Sequence, residues 1–233
     1  MSQSLPTVLV PGLACSARLY IPQIPPLWQL GPVMVADNTT HDNVADLART
    51  ILANAPSRFR LVGLSMGGYI SLEIIRQAPE RVVRLALLDT SARPEMPEQT
   101  QRRLPLIELA KAGRHLEINN TLWPLLVHRS RHDDKELRAT VDAMMIETGA
   151  EAVVRQFRTI ISRIDSRPTL SGIRAPTLVI VGEGDQITPV EINREIAAGI
   201  PGARLEILPA CGHLSTLEKP EDVSKLLTAW FSD

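Results

Sequence analysis

Six short apolar runs punctuate the chain, at Thr7–Val10, Val33–Ala36, Phe59–Leu64, Val82–Leu88, Thr177–Val181 and Arg204–Leu208. Each is rich in Val, Leu or Ile and bounded by Gly, Pro or Asp. None alternates cleanly between apolar and polar residues, the pattern of strands covered on both faces. Helical stretches fit between them at Asn43–Ala55, Met66–Gln77, Pro189–Ala198 and Glu221–Phe231. The last follows Pro220 and opens with Glu221 and Asp222, which are helix-start signals. This alternation predicts βαβ units and a mainly parallel sheet of about six strands, with helices on both faces.

The texture changes between Glu95 and Asp165. Strand-like runs disappear and helical periodicity takes over, predicting about four helices broken near Gly113, Ser130 and Gly149. The expected organisation is an α/β core built from residues 1–94 and 166–233, interrupted by an all-helical insertion over 95–165. A chain of 233 residues accommodates one such domain with its insertion.

Composition narrows the classes. With 25 basic and 26 acidic residues the formal net charge is −1, so nothing favours nucleic acid as a partner. No run approaches the roughly 18 apolar residues of a membrane span. The start, "MSQSLPTVLVPG", lacks a basic segment and turns at Pro11-Gly12, unlike a signal peptide. Two cysteines make no disulfide framework. A cytoplasmic protein is expected. Metal-ligand spacing and phosphate-binding glycine loops are both missing, so no metal and no cofactor are expected.

Gly63-Leu64-Ser65-Met66-Gly67 falls where an expected strand gives way to an expected helix. A serine there is forced into a sharp turn that presents its hydroxyl at the C-terminal edge of the sheet. The helix N-terminus beneath it favours developing negative charge. Ser65 is therefore the candidate nucleophile, and the Met66 N–H a candidate oxyanion donor. A hydroxyl needs a base. Of five histidines, His213 follows the last strand, on a loop at the sheet edge where open α/β sheets place their sites. His41 reads as a helix-start residue, and His115, His128 and His132 as solvated surface. Asp185, after Thr177–Val181, is favoured to orient His213. Asp89, which ends Val82–Leu88, is the rival. Gly12 turns the chain after the first strand, so the Leu13 N–H is the second candidate oxyanion donor. Cys15 and Cys211 read as ordinary buried residues.

The segments "VLVPGLACSARLY", "LVGLSMGGYISLEIIRQAPERVVRLALLDTSARP", "APTLVIVGEGDQITP" and "CGHLSTLEKPEDVSKLLTAWF" resemble the α/β-hydrolase fold family over nearly the whole core. The resemblance implies a Ser65–His213–Asp185 triad, an oxyanion hole at Leu13 and Met66, and a helical cap over 95–165. Two departures stand out. Pro11-Gly12 replaces a frequent His-Gly, and the strand pair that usually precedes the oxyanion strand is expected to be missing.

A serine nucleophile excludes the aspartate-dependent branches. The expected chemistry is hydrolysis of a carboxylic ester, or a thioester, through an acyl-enzyme. The same triad also serves carbon–carbon hydrolysis and perhydrolysis on this fold, and some members are ligand receptors with little turnover. Trp123, Met144, Met145 and Phe157, with Leu122, Leu126 and Ile161, are expected to form an apolar pocket wall. Charges in the insertion look balanced, so the expected partner is a small, uncharged, moderately hydrophobic ester.

Overall fold

The computed structural model describes residues 4–232. Six strands form one sheet: β1 (Thr7–Val10), β2 (Val33–Val35), β3 (Phe59–Leu64), β4 (Val82–Leu88), β5 (Thr177–Gly182) and β6 (Arg204–Leu208). Their order is β2-β1-β3-β4-β5-β6, and every neighbouring pair is parallel. No strand precedes β1 among the described residues. The buried strands β1, β3 and β5 have no exposed side, which explains their unbroken apolar sequence.

Eleven α-helices are described: α1 (Ile24–Trp28), α2 (Val44–Asn54), α3 (Met66–Gln77), α4 (Pro97–Lys111), α5 (Ile118–Leu126), α6 (Lys135–Thr148), α7 (Ala150–Ile161), α8 (Arg167–Leu170), α9 (Val190–Gly199), α10 (Ser215–Glu218) and α11 (Pro220–Ser232). Apolar residues of α2, α3 and α9 cover one sheet face with Val8, Leu61 and Leu85. Leu27 of α1 and Val223, Leu227 and Phe231 of α11 cover the other with Leu9, Val62 and Ile180. Asn43 caps α2 by accepting the Asp46 N–H at 2.9 Å. The neighbouring His41 instead meets Thr50 Oγ1 at 2.9 Å, so the cap lies two residues after the histidine.

Helices α4 to α7 fill the chain between β4 and the short α8. A third apolar cluster joins Leu106, Ile107 and Ala110 of α4 to Met145 of α6 and Val153 and Phe157 of α7, and reaches Ala14 of the β1 loop. Trp123, Val127, Val141 and Met144 join the cluster under β3 and β5 instead. Ile160 of α7 joins the first cluster, so the insertion shares all three apolar clusters with the core rather than forming an isolated globule.

The first turn of α3 lies almost against β1. A Cβ on Gly67 would overlap the backbone carbonyl of Val10, which cannot rotate away. Gly67→Ala is thus expected to push α3 off the sheet and destabilise by about 1–3 kcal/mol or more. Gly172→Ala, whose added methyl would sit at ordinary contact distance, should change stability by under about 0.5 kcal/mol. Urea unfolding of the two variants makes the comparison, and equal stabilities would contradict the close packing.

Candidate active site

The strand β3 ends at Leu64, and Ser65 takes φ +55° and ψ −116° before α3 begins. A non-glycine residue in this region costs on the order of 1–3 kcal/mol. The cost is offset by hydrogen bonds on both sides of the residue. The Ser65 N–H donates to Leu88 O at 2.9 Å, extending the β3–β4 ladder. Its carbonyl accepts from Thr90 Oγ1 at 2.7 Å and from the Gly68 N–H at 2.8 Å. Ser65 is left half-buried at the sheet edge.

Asp185 and His213 come from the loops after β5 and β6. These loops are tied together: the Gly184 N–H donates to Cys211 O at 2.8 Å. His213 Nδ1 lies 2.8 Å from Asp185 Oδ2, and His213 Nε2 lies 2.8 Å from Ser65 Oγ. Both side chains are buried. Asp185 Oδ1 accepts the Ile187 and Thr188 N–H groups at 2.8 and 3.0 Å, and Oδ2 accepts the Thr188 hydroxyl at 2.7 Å. Burial alone would raise the Asp185 carboxyl. The His213 charge and these hydrogen bonds outweigh it and hold the group below the usual carboxylate range. For His213 burial pulls downward, yet the Asp185 charge and hydrogen bond leave the imidazole above its ordinary value.

Asp89 makes no hydrogen bond to His213. Its carboxyl accepts the Gly182 N–H at 2.9 Å and pairs closely with the Ser215 hydroxyl. Burial, reinforced by the Asp185 charge, pushes it well above the usual carboxylate range. The two acids thus divide: Asp185 bonds the histidine, and Asp89 stitches the β4 and β5 ends to the His213 loop.

Leu13 lines the cavity with Ser65 and Met66 follows the serine, and neither N–H donates to another described residue. Met66 opens α3, so its N–H is free of helical bonding by position. The Leu13 loop is held by two residues that its own sequence does not announce. Asn38 Nδ2 donates to Pro11 O and Gly12 O at 2.9 and 3.2 Å. Gln156 of α7 accepts the Ala14 N–H at 2.8 Å and donates to Asn38 Oδ1 at 3.0 Å. The only trace of this in the sequence is a polar residue breaking the apolar face Val153, Val154, Phe157 and Ile160.

The histidine loop is held from the insertion as well. Leu126 O accepts the His213 and Leu214 N–H groups at 3.0 and 3.2 Å. The buried Glu218 carboxylate accepts the Gly212, Leu214 and His128 N–H groups at 2.9, 3.3 and 2.8 Å. His115, His128 and His132, expected on solvated surface, are half-buried.

A cavity opens onto Ser65 and His213. Met144, Met145, Leu122 and Leu126 line it, as expected. Trp123, Phe157 and Ile161 do not. Trp123 turns inward under Arg138 and donates its indole N–H to His132 O at 2.9 Å. Phe157 is wholly buried among the insertion helices, and its neighbour by one turn, Ile160, reaches the cavity instead of Ile161. Tyr69, Asn119 and Arg103 also line the cavity, so its wall is not purely apolar. Cys15 and Cys211 are free and buried; burial pushes the Cys15 thiol up to about 12 and the Cys211 thiol higher still. Neither is a thiolate at neutral pH. Among the described residues no group of acidic, histidine or cysteine side chains is arranged to hold a metal, and no helix is long and apolar enough to cross a membrane.

This sheet order and elbow define a known class. The alpha/beta hydrolase fold model matches residues 24–220, and the chain belongs to that family. The pimeloyl-[acyl-carrier protein] methyl ester esterase of Nitrosomonas europaea is 27% identical over 188 residues, covering 77% of this chain and 74% of the relative. A 2-hydroxy-6-oxononadienedioate/2-hydroxy-6-oxononatrienedioate hydrolase of Pseudomonas putida is 24% identical over 230 residues, covering 94% of this chain and 78% of the relative. Among solved structures, a thermophilic esterase from Thermogutta terrifontis superposes with a TM-score of 0.89 at 27% identity, covering 99% of this chain and 90% of that one.

The division of the two acids can be read from the histidine. Followed by NMR, His213 should lose its proton above the usual histidine value of about 6.5. Asp185→Asn removes the facing charge and should lower the midpoint, and Asp89→Asn should lower it less. The reverse order would make Asp89 the partner.

Proposed function

We propose that the protein is a serine hydrolase that cleaves a carboxylic ester of a small, moderately hydrophobic substrate through an acyl-enzyme on Ser65. The observation that carries this reading is the continuous contact Ser65–His213–Asp185, at 2.8 Å on each side of the imidazole, beneath an apolar cavity. The relatives named as esterases and hydrolases support the same reaction class.

The roles follow from the geometry. Neutral His213 Nε2 takes the Ser65 proton as Oγ attacks the ester carbon. The carbonyl oxygen becomes an oxyanion, held by the unpartnered Leu13 and Met66 N–H groups; one such donor is typically worth about 3–4 kcal/mol. Asp185 stabilises the imidazolium. The proton passes to the leaving alcohol, and water activated by His213 then releases the acid and restores Ser65. Residues 95–165 act as a lid domain over the core formed by 1–94 and 166–233. The lid supplies Met144, Met145, Leu122 and Leu126 to the substrate. A small-molecule substrate and no cofactor complete the scheme.

Because His213 must be neutral to act, its raised value moves the acid limb of the rate upward. The rate kcat/KM should rise with pH through a midpoint above that of free histidine. Ser65→Ala should retain the fold and lose about 10³–10⁶-fold in turnover of p-nitrophenyl esters. A fluorophosphonate should label the wild type and not the variant. Labelling that persists in Ser65→Ala would remove the serine from this role. A ligand-dependent rise in melting temperature with no turnover on an ester panel would favour the receptor alternative.

A further inference from the structure

The cavity wall is largely apolar; besides Ser65 and His213 its polar members are Tyr69, Asn119 and Arg103, and α4 supplies Arg103, the one arginine among them. This guanidinium belongs to a charge cluster that does not cancel. Glu95, whose side chain is 3% exposed, meets both Arg103 and Arg163. Arg163 is fully spent. Beyond Glu95 its N–H groups go to the carbonyls of Arg93, Ile160 and Pro94 and to Gln99 Oε1. A guanidinium has five N–H donors, so none remains. Arg103 uses Nε at 2.6 Å and Nη2 at 3.5 Å on Glu95, and its Nη1 has no partner among the described residues. Two guanidiniums against one carboxylate leave one positive charge in a cluster whose Arg103 lines the cavity.

The cluster also has a position relative to the reaction. Tyr69 lines the same cavity and lies four residues after Ser65 on α3, about 6 Å along the helix. Arg163 stacks on the Tyr69 ring at 4.8 Å from its centroid, which joins Tyr69, Arg163, Glu95 and Arg103 into one contiguous group. The Tyr69 hydroxyl makes no hydrogen bond to another described residue, although the side chain is largely buried.

Building on the ester-hydrolase reading, we infer that the acyl part of the substrate carries a carboxylate, bound by Arg103 with help from the Tyr69 hydroxyl, so that the substrate class is the half-ester of a short dicarboxylic acid. A guanidinium fork matches a carboxylate, and a partly buried site strengthens the pair relative to water. The apolar residues between the two ends take the intervening methylenes. The sequence expectation of an uncharged substrate came from the net balance of the insertion, which does not show which charges reach the cavity.

The test compares monomethyl glutarate with its neutral primary-amide isostere, methyl 4-carbamoylbutanoate. Wild type should favour the acid at least tenfold in kcat/KM. Arg103→Met should reduce that acid-to-amide ratio at least tenfold, chiefly through KM, and Arg103→Lys should restore part of it. Glu95 keeps Arg163 in both variants, and melting temperatures check that they fold. A ratio near one in wild type, or one unmoved by Arg103→Met, would overturn the inference while leaving ester hydrolysis standing. Calorimetric binding to Ser65→Ala separates the two ideas. Tighter binding of the acid that disappears in Ser65→Ala/Arg103→Met supports the carboxylate site even if wild type turns over neither ester, whereas equal binding of acid and amide overturns it.

Discussion

A serine held at φ +55° is a conformation that the surrounding fold must enforce, and much of this structure can be traced to that requirement. The backbone of Ser65 is caught between β4, through Leu88 O and the Thr90 hydroxyl, and the first turn of α3. That turn approaches β1 so closely that Gly67 has no room for a Cβ. The same approach sets the Met66 N–H beside the loop that follows β1. The strained residue, the tight helix packing and the pair of free N–H groups are therefore one local solution.

The histidine has further to come. With β4 and β5 between β3 and β6, and strands about 4.8 Å apart, the loop after β6 must fold back across the sheet edge to bring His213 over Ser65. Three attachments hold it there: Asp185 on the imidazole, Asp89 beneath Ser215, and Glu218 with Leu126 O on the flanking backbone. The last of these joins the loop to the helical insertion, and Gln156 joins the insertion to the Leu13 loop. The proposed lid is thus hydrogen-bonded to both sides of the proposed site. A movement of the lid that broke these bonds would release the base and an oxyanion donor together. Substrate fit and triad geometry are coupled through shared backbone contacts.

The core strands, the elbow, Asp185 and His213 were legible because each is fixed by nearby sequence: an apolar run, a glycine turn, a loop immediately after a strand. β1, β3, β4 and β6 end where their composition changes, and α3 spans Met66–Gln77 as its periodicity indicated. The insertion was legible as helices, with breaks near Gly113, Ser130 and Gly149, but its inward faces were not. Several clusters compete for the same apolar residues, so Trp123 and Phe157 became packing residues, and adjacent Met144 and Met145 reached the cavity. Asn38, Gln156 and Glu218 gave little warning, because a polar side chain acquires meaning only from the distant backbone it meets. Arg103 was hidden for a related reason: whether a charge is spent depends on partners such as Glu95 and on what Arg163 has already consumed.

The central claim is that an acyl group passes through Ser65 Oγ. Mixing the enzyme with an activated short-chain ester, quenching in acid within milliseconds and measuring intact mass tests it directly. The account predicts a transient adduct of the acyl mass minus one hydrogen, mapped by peptide digestion to the segment containing Ser65, which decays as acid product accumulates. Steady product formation by the wild type with no adduct at any quench time under saturating activated ester, or an adduct on a different residue, would contradict it.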